Sequence, residues 1–394
     1  MRFSAALVAV ALALAGCAAA KQPPAAPPPP HVYTLSGDQV AVYDLQGHLE
    51  RLLPAGIPAP DWSLLYVTTP AGVQAVDTRT GVVVRSLALE GAYAMPRPNL
   101  AGLPQGLSPD GRWLALGGKG RLVIVDTAFK NRPTYVRLAG DFEFDALSND
   151  GRRLYLAQAL THGYQVRRYD VGNGLAVDPI VDKTDLDATM SGFRVTSLDP
   201  PGGDFHYGLY VRPDRQPFVH ALPLEADRPY AFCVFLPWPG YTAPAPDWSL
   251  ARGAGGRIYA SSGLLRRVAE IDTSDYPKLA RTLEIPRLTS LRNPFLVQAE
   301  AKAEAVAPGA VISSDLRHLY FPDIDGIDAV DLVAFKLTGR WLRGEFVQSL
   351  VAAPDGSLFA LAGGSVFRVD PSGGRQIARF EVPAGVERLL LVAA

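Results

Sequence analysis

An all-β chain folded as a closed ring of small four-stranded sheets is what this sequence predicts, and three observations carry that expectation. Strand-like segments ending in aspartate recur along the chain: QVAVYDLQG at 39–47, GVQAVDTRTG at 72–81, RLVIVDTAF at 121–129, QVRRYDVGNG at 165–174, RRVAEIDTS at 266–274, GIDAVDLVAF at 326–335 and SVFRVDPSGG at 365–374. Their aspartates, Asp44, Asp77, Asp126, Asp170, Asp272, Asp331 and Asp370, are separated by 33, 49, 44, 102, 59 and 39 residues, so all gaps but one fit a repeat of about 35–60. Upstream of the markers lies a second strand opened by a turn, as in SPDGRWLALGG at 108–118, SNDGRRLYLAQ at 148–158, SSDLRHLYFPD at 313–323 and APDGSLFALAGG at 353–364. Short strands repeating at about 40–45 residues are the pattern of β-propeller blades.

The elements follow in order. The chain opens MRFSAALVAVALALAGCAAAKQ, with Arg2 as a positive head and an apolar run from Phe3 to Leu14. That run is shorter than the roughly 20 residues a membrane span needs, and small residues follow it, as in a secretory signal. Leu14-Ala15-Gly16-Cys17 resembles the lipobox of bacterial lipoproteins. That resemblance implies removal of residues 1–16 and acylation of Cys17. It also implies attachment to a bacterial envelope membrane, facing the periplasm or the exterior. Two or three acyl chains hold firmly where one binds marginally. The stretch AAAKQPPAAPPPP to Pro30 favours extended polyproline geometry, and thirteen residues at 3.1 Å each give a tether of roughly 40 Å. Residues 17–30 are thus read as lipidated cysteine and tether, and 31–394 as the propeller.

The string PAPDWSL occurs twice, at Pro58–Leu64 and Pro244–Leu250. Placed before Asp77 and Asp272, the two copies read as equivalent turns four repeats apart. An aspartate there accepts backbone amides two residues on, and the tryptophan packs into the seam between neighbouring units. The 102-residue gap requires a unit without its aspartate. The segment 204–237, DFHYGLYVRPDRQPFVHALPLEADRPYAFCVFLP, supplies three strand-like runs for it. Eight blades follow, or seven if that segment is an elaborated insertion. HVYTLSGDQVAVYDLQG reads as the second and third strands of a blade, and the final GVERLLLVAA as its missing first strand. Pairing the two would close the ring and remove its open edges. LRNPFLVQAEAKAEAVAPG at 291–309 has helix-favouring density and reads as a short helix on one face.

PDWSLLYVTTPAGVQAVDTRTGVVVRSLALEG resembles the YVTN-type repeat, a relative of WD-type repeats. The resemblance covers most of 32–394 and implies a β-propeller without implying an activity.

Lys plus Arg number 38 against 39 Asp plus Glu, and no basic patch or tail points to nucleic acid. The chain has two cysteines; with Cys17 lipidated, Cys233 stands alone in AFCVFLP and reads as buried and inert. His31, His48, His162, His206, His220 and His318 show no metal-ligand spacing, and GxSxG, HExxH and CxxC are absent. GGKG at 117–120 sits between two strands as a hairpin turn. The one metal candidate is DIDGID, where Asp323, Asp325 and Asp328 with Gly326 resemble part of a calcium loop that lacks its closing glutamate. No other cofactor is expected. The leading functional expectation is a non-enzymatic binding or scaffold module for a protein or glycan partner. The alternative is a lactonase-like hydrolase with a metal in the central channel, which would bring three or more carboxylates or histidines together at its mouth.

Overall fold

The computed structural model describes residues 30–96, 105–118, 120–161, 163–183, 190–214, 216–225, 230–238, 247–286 and 309–393. Cys17, the proline-rich tether and the helix-favouring insertion up to residue 308 lie outside them. The described residues form eight separate sheets and no helix. From blade 5 through blade 8 to blade 1, consecutive first strands contact one another, as strands lining the axis of a ring do. The fold is an eight-bladed β-propeller.

Blade 1 joins the two ends of the chain. Strand His31–Ser36 pairs with Gln39–Tyr43 on one side and with Arg388–Ala393 on the other, His31 lying opposite Ala393. Leu49–Pro54 completes the sheet. The C-terminal run thus supplies the first strand that the N-terminal run lacks. Val32, Ala41 and Tyr43 pack with Leu389 and Val392 and with Phe359 and Leu361 of blade 8. Burial of this shared cluster links the chain ends to the stability of the whole ring.

Blade 2 contains Ile57–Pro58, Leu64–Thr69, Gly72–Asp77 and Val83–Ala88. Blade 3 keeps three strands, Trp113–Gly118, Arg121–Asp126 and Thr134–Arg137, with a single bridge from Leu107 to Leu114 where the first strand would run. Blade 4 consists of Phe142–Leu147, Arg153–Leu160, Gly163–Asp170 and Gly174–Leu175. Blade 5 is the unit without a marker aspartate: Phe193–Leu198, Phe205–Val211, Pro217–Pro223 and Tyr230–Phe235. Blades 6, 7 and 8 begin at Ser249–Arg252, Val311–Ile312 and Val347–Ala352.

Six of the seven recurring aspartates are turn caps, and Asp170 accepts the Arg168 guanidinium instead. After the third strand, Asp44 accepts the amides of Gln46 and His48, Asp77 that of Thr80, Asp272 that of Ser274, Asp331 those of Val333 and Ala334, and Asp370 that of Ser372. The turn between first and second strands is capped in the same way by Asp61, Asp110, Asp150, Asp315 and Asp355, each accepting the amide two residues on. In blade 5 Glu225 follows the third strand and reaches across to the amide of Asn149 and the guanidinium of Arg153 in blade 4.

The two PAPDWSL copies are not equivalent. The first is the turn between the first and second strands of blade 2, with Trp62 at φ 57°. The second leads into the first strand of blade 6 at Ser249, and the corresponding turn there is 253–256. Asp247 is half-buried, and its carboxylate accepts the Ser262 hydroxyl and the Leu264 amide of the far turn. Both tryptophans do fill seams: Trp62 packs against Tyr33 of blade 1, and the fully buried Trp248 stacks on Trp238 in the core between blades 5 and 6.

The outermost strand of each blade is an open edge, and five blades blunt it alike. In blades 1, 2, 6, 7 and 8 the pairing of third and outer strands shifts register near the marker aspartate, leaving one extra residue on the edge: Glu50, Val84, Ala280, Thr338 and Ile377. A bulge of this kind twists an edge away from incoming strands. Blade 5 pairs without a shift and is covered instead by Val181–Asp182, parallel to Tyr230–Ala231.

Candidate functional site

The seam between blades 4 and 5 carries a charged cluster beside its apolar core, in which Ala146, Tyr155 and Val166 meet Leu222, Leu224 and Ala231. Between blades 5 and 6, fourteen buried residues from Val195 to Ile271 form one hydrophobic cluster. On the other side of blade 5, the alternation of its strands puts His206, Tyr210 and His220 on the face toward blade 4, with His220 across the ladder from Gly208 and Cys233. Gly208 is required there, because a Cβ would stand 2.6 Å from the Tyr210 ring. That ring stacks on Tyr164 of blade 4 and on Phe218, and meets His220 edge-on.

Blade 4 contributes a carboxylate to this face. Its first strand bulges between Phe144 and Ala146, and the extra residue is Asp145. A bulge re-aims a side chain, and Asp145 is 2% exposed within the seam. Its Oδ1 accepts Arg194 Nη1 at 3.0 Å and the Tyr210 hydroxyl at 3.2 Å, and His206 Nε2 stands 3.9 Å away. His206 Nδ1 meets Asp199 at 2.7 Å.

The electrostatics follow from these neighbours. Burial works against ionised Asp145, but the charges of His206 and Arg194 outweigh it and the carboxyl lies below its usual range. Burial likewise disfavours a charged His206, yet Asp199 and Asp145 prevail and its pKa is raised. His220 is held neutral, its pKa pushed down to about 4 by burial. The seam therefore gathers Asp145, Asp199, Arg194 and His206 around two buried members, Asp145 and His206, with the neutral His220 imidazole beside them. Asp145 Oδ2, His206 Nε2, both ring nitrogens of His220 and the Tyr164 hydroxyl are buried without a hydrogen-bond partner. Orphaned polar atoms of this kind are rare in folded proteins, and here they gather in one place.

The sequence-predicted residues lie elsewhere. DIDGID is the hairpin of blade 7 between His318–Asp323 and Gly326–Asp331, and Gly326 is required at φ 124°, where a Cβ would meet the Trp341 carbonyl at 2.1 Å. Asp323 pairs with Arg266 of blade 6 at 2.7 Å, Asp328 with Arg340 at 3.0 Å, and Asp325 accepts the Gly344 amide. Burial and the nearby Asp328 push Asp323 up to about 7. Calcium here would have to take Asp323 and Asp328 away from two guanidinium groups. Among the described residues, no three His, Cys, Asp or Glu are placed to hold a metal ion. Cys233 is half-buried rather than buried, and burial pushes its thiol up, away from the reactive thiolate form.

The first strands that line the axis carry Glu143 and Asp145 as their carboxylates, and no histidine. Asp145 turns into the seam. The two faces of the ring also differ. On the face where His31 begins its strand, the turns are short and aspartate-capped, none longer than 127–133. The described strand ends that flank the four longest intervals between strands, 89–106, 176–192, 236–248 and 285–310, lie at the opposite face. Phe193 and Phe346, at the starts of the first strands of blades 5 and 8, are 49% and 39% exposed on that face, and Leu160 and Phe235 join them.

No family model and no curated protein sequence matches this chain. Solved structures do. Dihydro-heme d1 dehydrogenase NirN in complex with DHE is 16% identical with a TM-score of 0.54, over 90% of this chain and 73% of that one. Apo AztD from Citrobacter koseri is 11% identical with a TM-score of 0.54, over 92% and 96%. Saccharomyces cerevisiae Sqt1 is 12% identical with a TM-score of 0.50, over 84% and 85%. What they share with this chain is the propeller. At these identities the likeness is one of fold alone.

Proposed function

We propose that the chain is a lipid-anchored bacterial envelope protein whose propeller binds a protein or glycan partner without transforming it. The observation that carries this reading is the asymmetry of the two faces. Residue His31 enters on the face of short capped turns, so a tether from Cys17 reaches the ring from that side. The strand ends that flank the four long intervals, with Phe193, Phe346, Leu160 and Phe235 exposed there, lie on the other. Binding residues concentrate on loops held by a rigid scaffold, and exposed aromatic side chains supply contact area at low entropic cost. A lactonase-like reading calls for convergent carboxylates or histidines on the axis, and the described first strands offer Glu143 alone once Asp145 is turned aside.

The test is crosslinking capture from intact cells with tagged full-length protein, beside Cys17→Ala and a Phe193→Asp/Phe346→Asp variant. A specific envelope component held by the anchored protein, and lost in the double aspartate variant, establishes the reading. Capture that ignores the two phenylalanines overturns the choice of face. No capture, together with turnover in a metal and lactone screen, overturns the binding role itself.

A further inference from the structure

On the rim between blades 5 and 6, three aromatic rings surround one ammonium group. Lys183 Nζ lies 4.8 Å from the ring centroid of Tyr230, 5.2 Å from that of Phe232 and 4.5 Å from that of Tyr276. All three fall within the range of about 6 Å over which a cation is attracted to an aromatic face. The walls hold one another in place: Tyr230 meets Phe232 edge-on at 5.4 Å, and Phe232 meets Tyr276 at 5.5 Å. Phe232 is anchored in the core between the blades, whereas Tyr276 stands on a turn of blade 6 and is 53% exposed. Lys183 is itself exposed. The box is therefore a surface feature, open to solvent apart from the lysine in it.

We propose that Tyr230, Phe232 and Tyr276 form a binding site for an organic ammonium group, quaternary or alkyl, which Lys183 occupies as a built-in stand-in. The strap that delivers Lys183 is anchored upstream of it, where Ile180 and Asp182 are buried and the Ile180 amide donates to the Val166 carbonyl. Val181–Asp182 pairs with only Tyr230–Ala231, and the Lys183 amide donates to the Ala231 carbonyl at 2.8 Å. Because the strap already covers the blade 5 edge through its backbone, the lysine side chain is not needed for that cover. Three converging aromatic faces select a positive charge of low hydration, a choice that an aliphatic plug on the same strap would not exploit. An ammonium ligand that takes the place of Lys183 frees the side chain and leaves that end of the strap on the Lys183 amide, with Ile180 and Asp182 still buried behind it.

The experiment titrates the full chain, in a maltoside detergent without ammonium headgroups, with choline and with its uncharged isostere 3,3-dimethylbutan-1-ol. Lys183→Ser should bind choline at least tenfold more tightly than the alcohol and at least tenfold more tightly than wild type does. Adding Tyr276→Ala should cost at least tenfold of that affinity. In wild type, saturating choline should speed hydrogen exchange of the Lys183 amide at least threefold, and the alcohol should not. A Lys183→Ser protein that melts like wild type and treats choline and the alcohol alike overturns the proposal. If that variant fails to fold, unchanged exchange of the wild-type Lys183 amide in choline overturns it alone.

Discussion

Asp145→Asn tests whether the charged cluster holds blades 4 and 5 together. The substitution keeps the shape of the side chain and removes its charge. Arg194 then loses the carboxylate 3.0 Å away, inside a seam where the arginine side chain is 17% exposed, and His206 keeps only Asp199. Removing one member of a buried ion pair costs about 3–5 kcal/mol, because the partner charge stays buried. With unfolding entropy of about 2.1 cal/mol/K per residue over residues 31–394, that cost lowers Tm by about 4–7 °C. The variant also changes the pH profile. His206 has its folded pKa raised above the unfolded value of about 6.5. Its contribution is therefore complete below about pH 6.5 and is lost as pH rises through the folded pKa. His220, pushed down to about 4, acts in the opposite sense: its contribution is lost as pH falls from about 6.5 toward 4. Urea midpoints of wild type, Asp145→Asn and His220→Gln at pH 5, 6.5 and 8 separate the two. Wild type should lose stability from pH 6.5 to 8 more steeply than Asp145→Asn, and His220→Gln should be relatively firmer at pH 5. An Asp145→Asn protein within about 1 kcal/mol of wild type, with the same pH slope, would refute the claim that this network holds the seam.

Three further outcomes follow from the same structure. Trp248→Ala should cost about 3–5 kcal/mol in chemical denaturation, since it empties the core between blades 5 and 6, and Trp62→Ala, at a half-buried turn, distinctly less; equal costs would sink the reading of the two copies as different slots. Deleting 388–394 strips the first strand from blade 1 and bares the edge of His31–Ser36, so the protein should associate or unfold by size-exclusion chromatography, and a monomer with wild-type Tm would contradict ring closure. Asp323, raised to about 7 against an unfolded value near 4, should make stability fall as pH rises between about 4 and 7; Asp323→Asn should flatten that part of the profile, measured by urea midpoints at pH 4, 5.5 and 7.

The blades were legible in the sequence because their cause is local. An aspartate that caps its own turn, and strands whose alternation is read within six residues, leave the same trace in every repeat. The unit at 204–237 was legible too, since it keeps three strands while losing the aspartate, with Glu225 directed to Asn149 and Arg153 instead. PAPDWSL shows the limit of a local string. Followed by LYVTT, it is a turn between two strands; followed by ARGAGG, which carries a turn of its own, it becomes the lead into a first strand. The charged cluster of the seam left no trace at all. Asp145, Arg194, Asp199, His206, Tyr210 and His220 come from four strands and a turn of two blades, and they meet through a bulge and a ladder register that no spacing rule encodes. DIDGID, by contrast, was conspicuous for a reason of backbone geometry: a tight hairpin that needs Gly326, flanked by carboxylates with partners of their own.

Blade 5 departs from its neighbours in four ways at once. It lacks the marker aspartate, lacks the outer-strand bulge of blade 6, carries a covering strap, and faces blade 4 through a charged cluster as well as apolar packing. The strap links the last two features. Asp182 is buried and lies across from Ala231, next to Cys233 on the strand that reaches the histidines, while Lys183 turns to the aromatic box on the other side. A ring held shut only by packing would gain from aliphatic side chains in every seam, as the seam between blades 5 and 6 shows. Buried orphaned nitrogens and oxygens cost stability, so their concentration in one seam of eight sets blade 5 apart as the unit shaped by something besides closure of the ring.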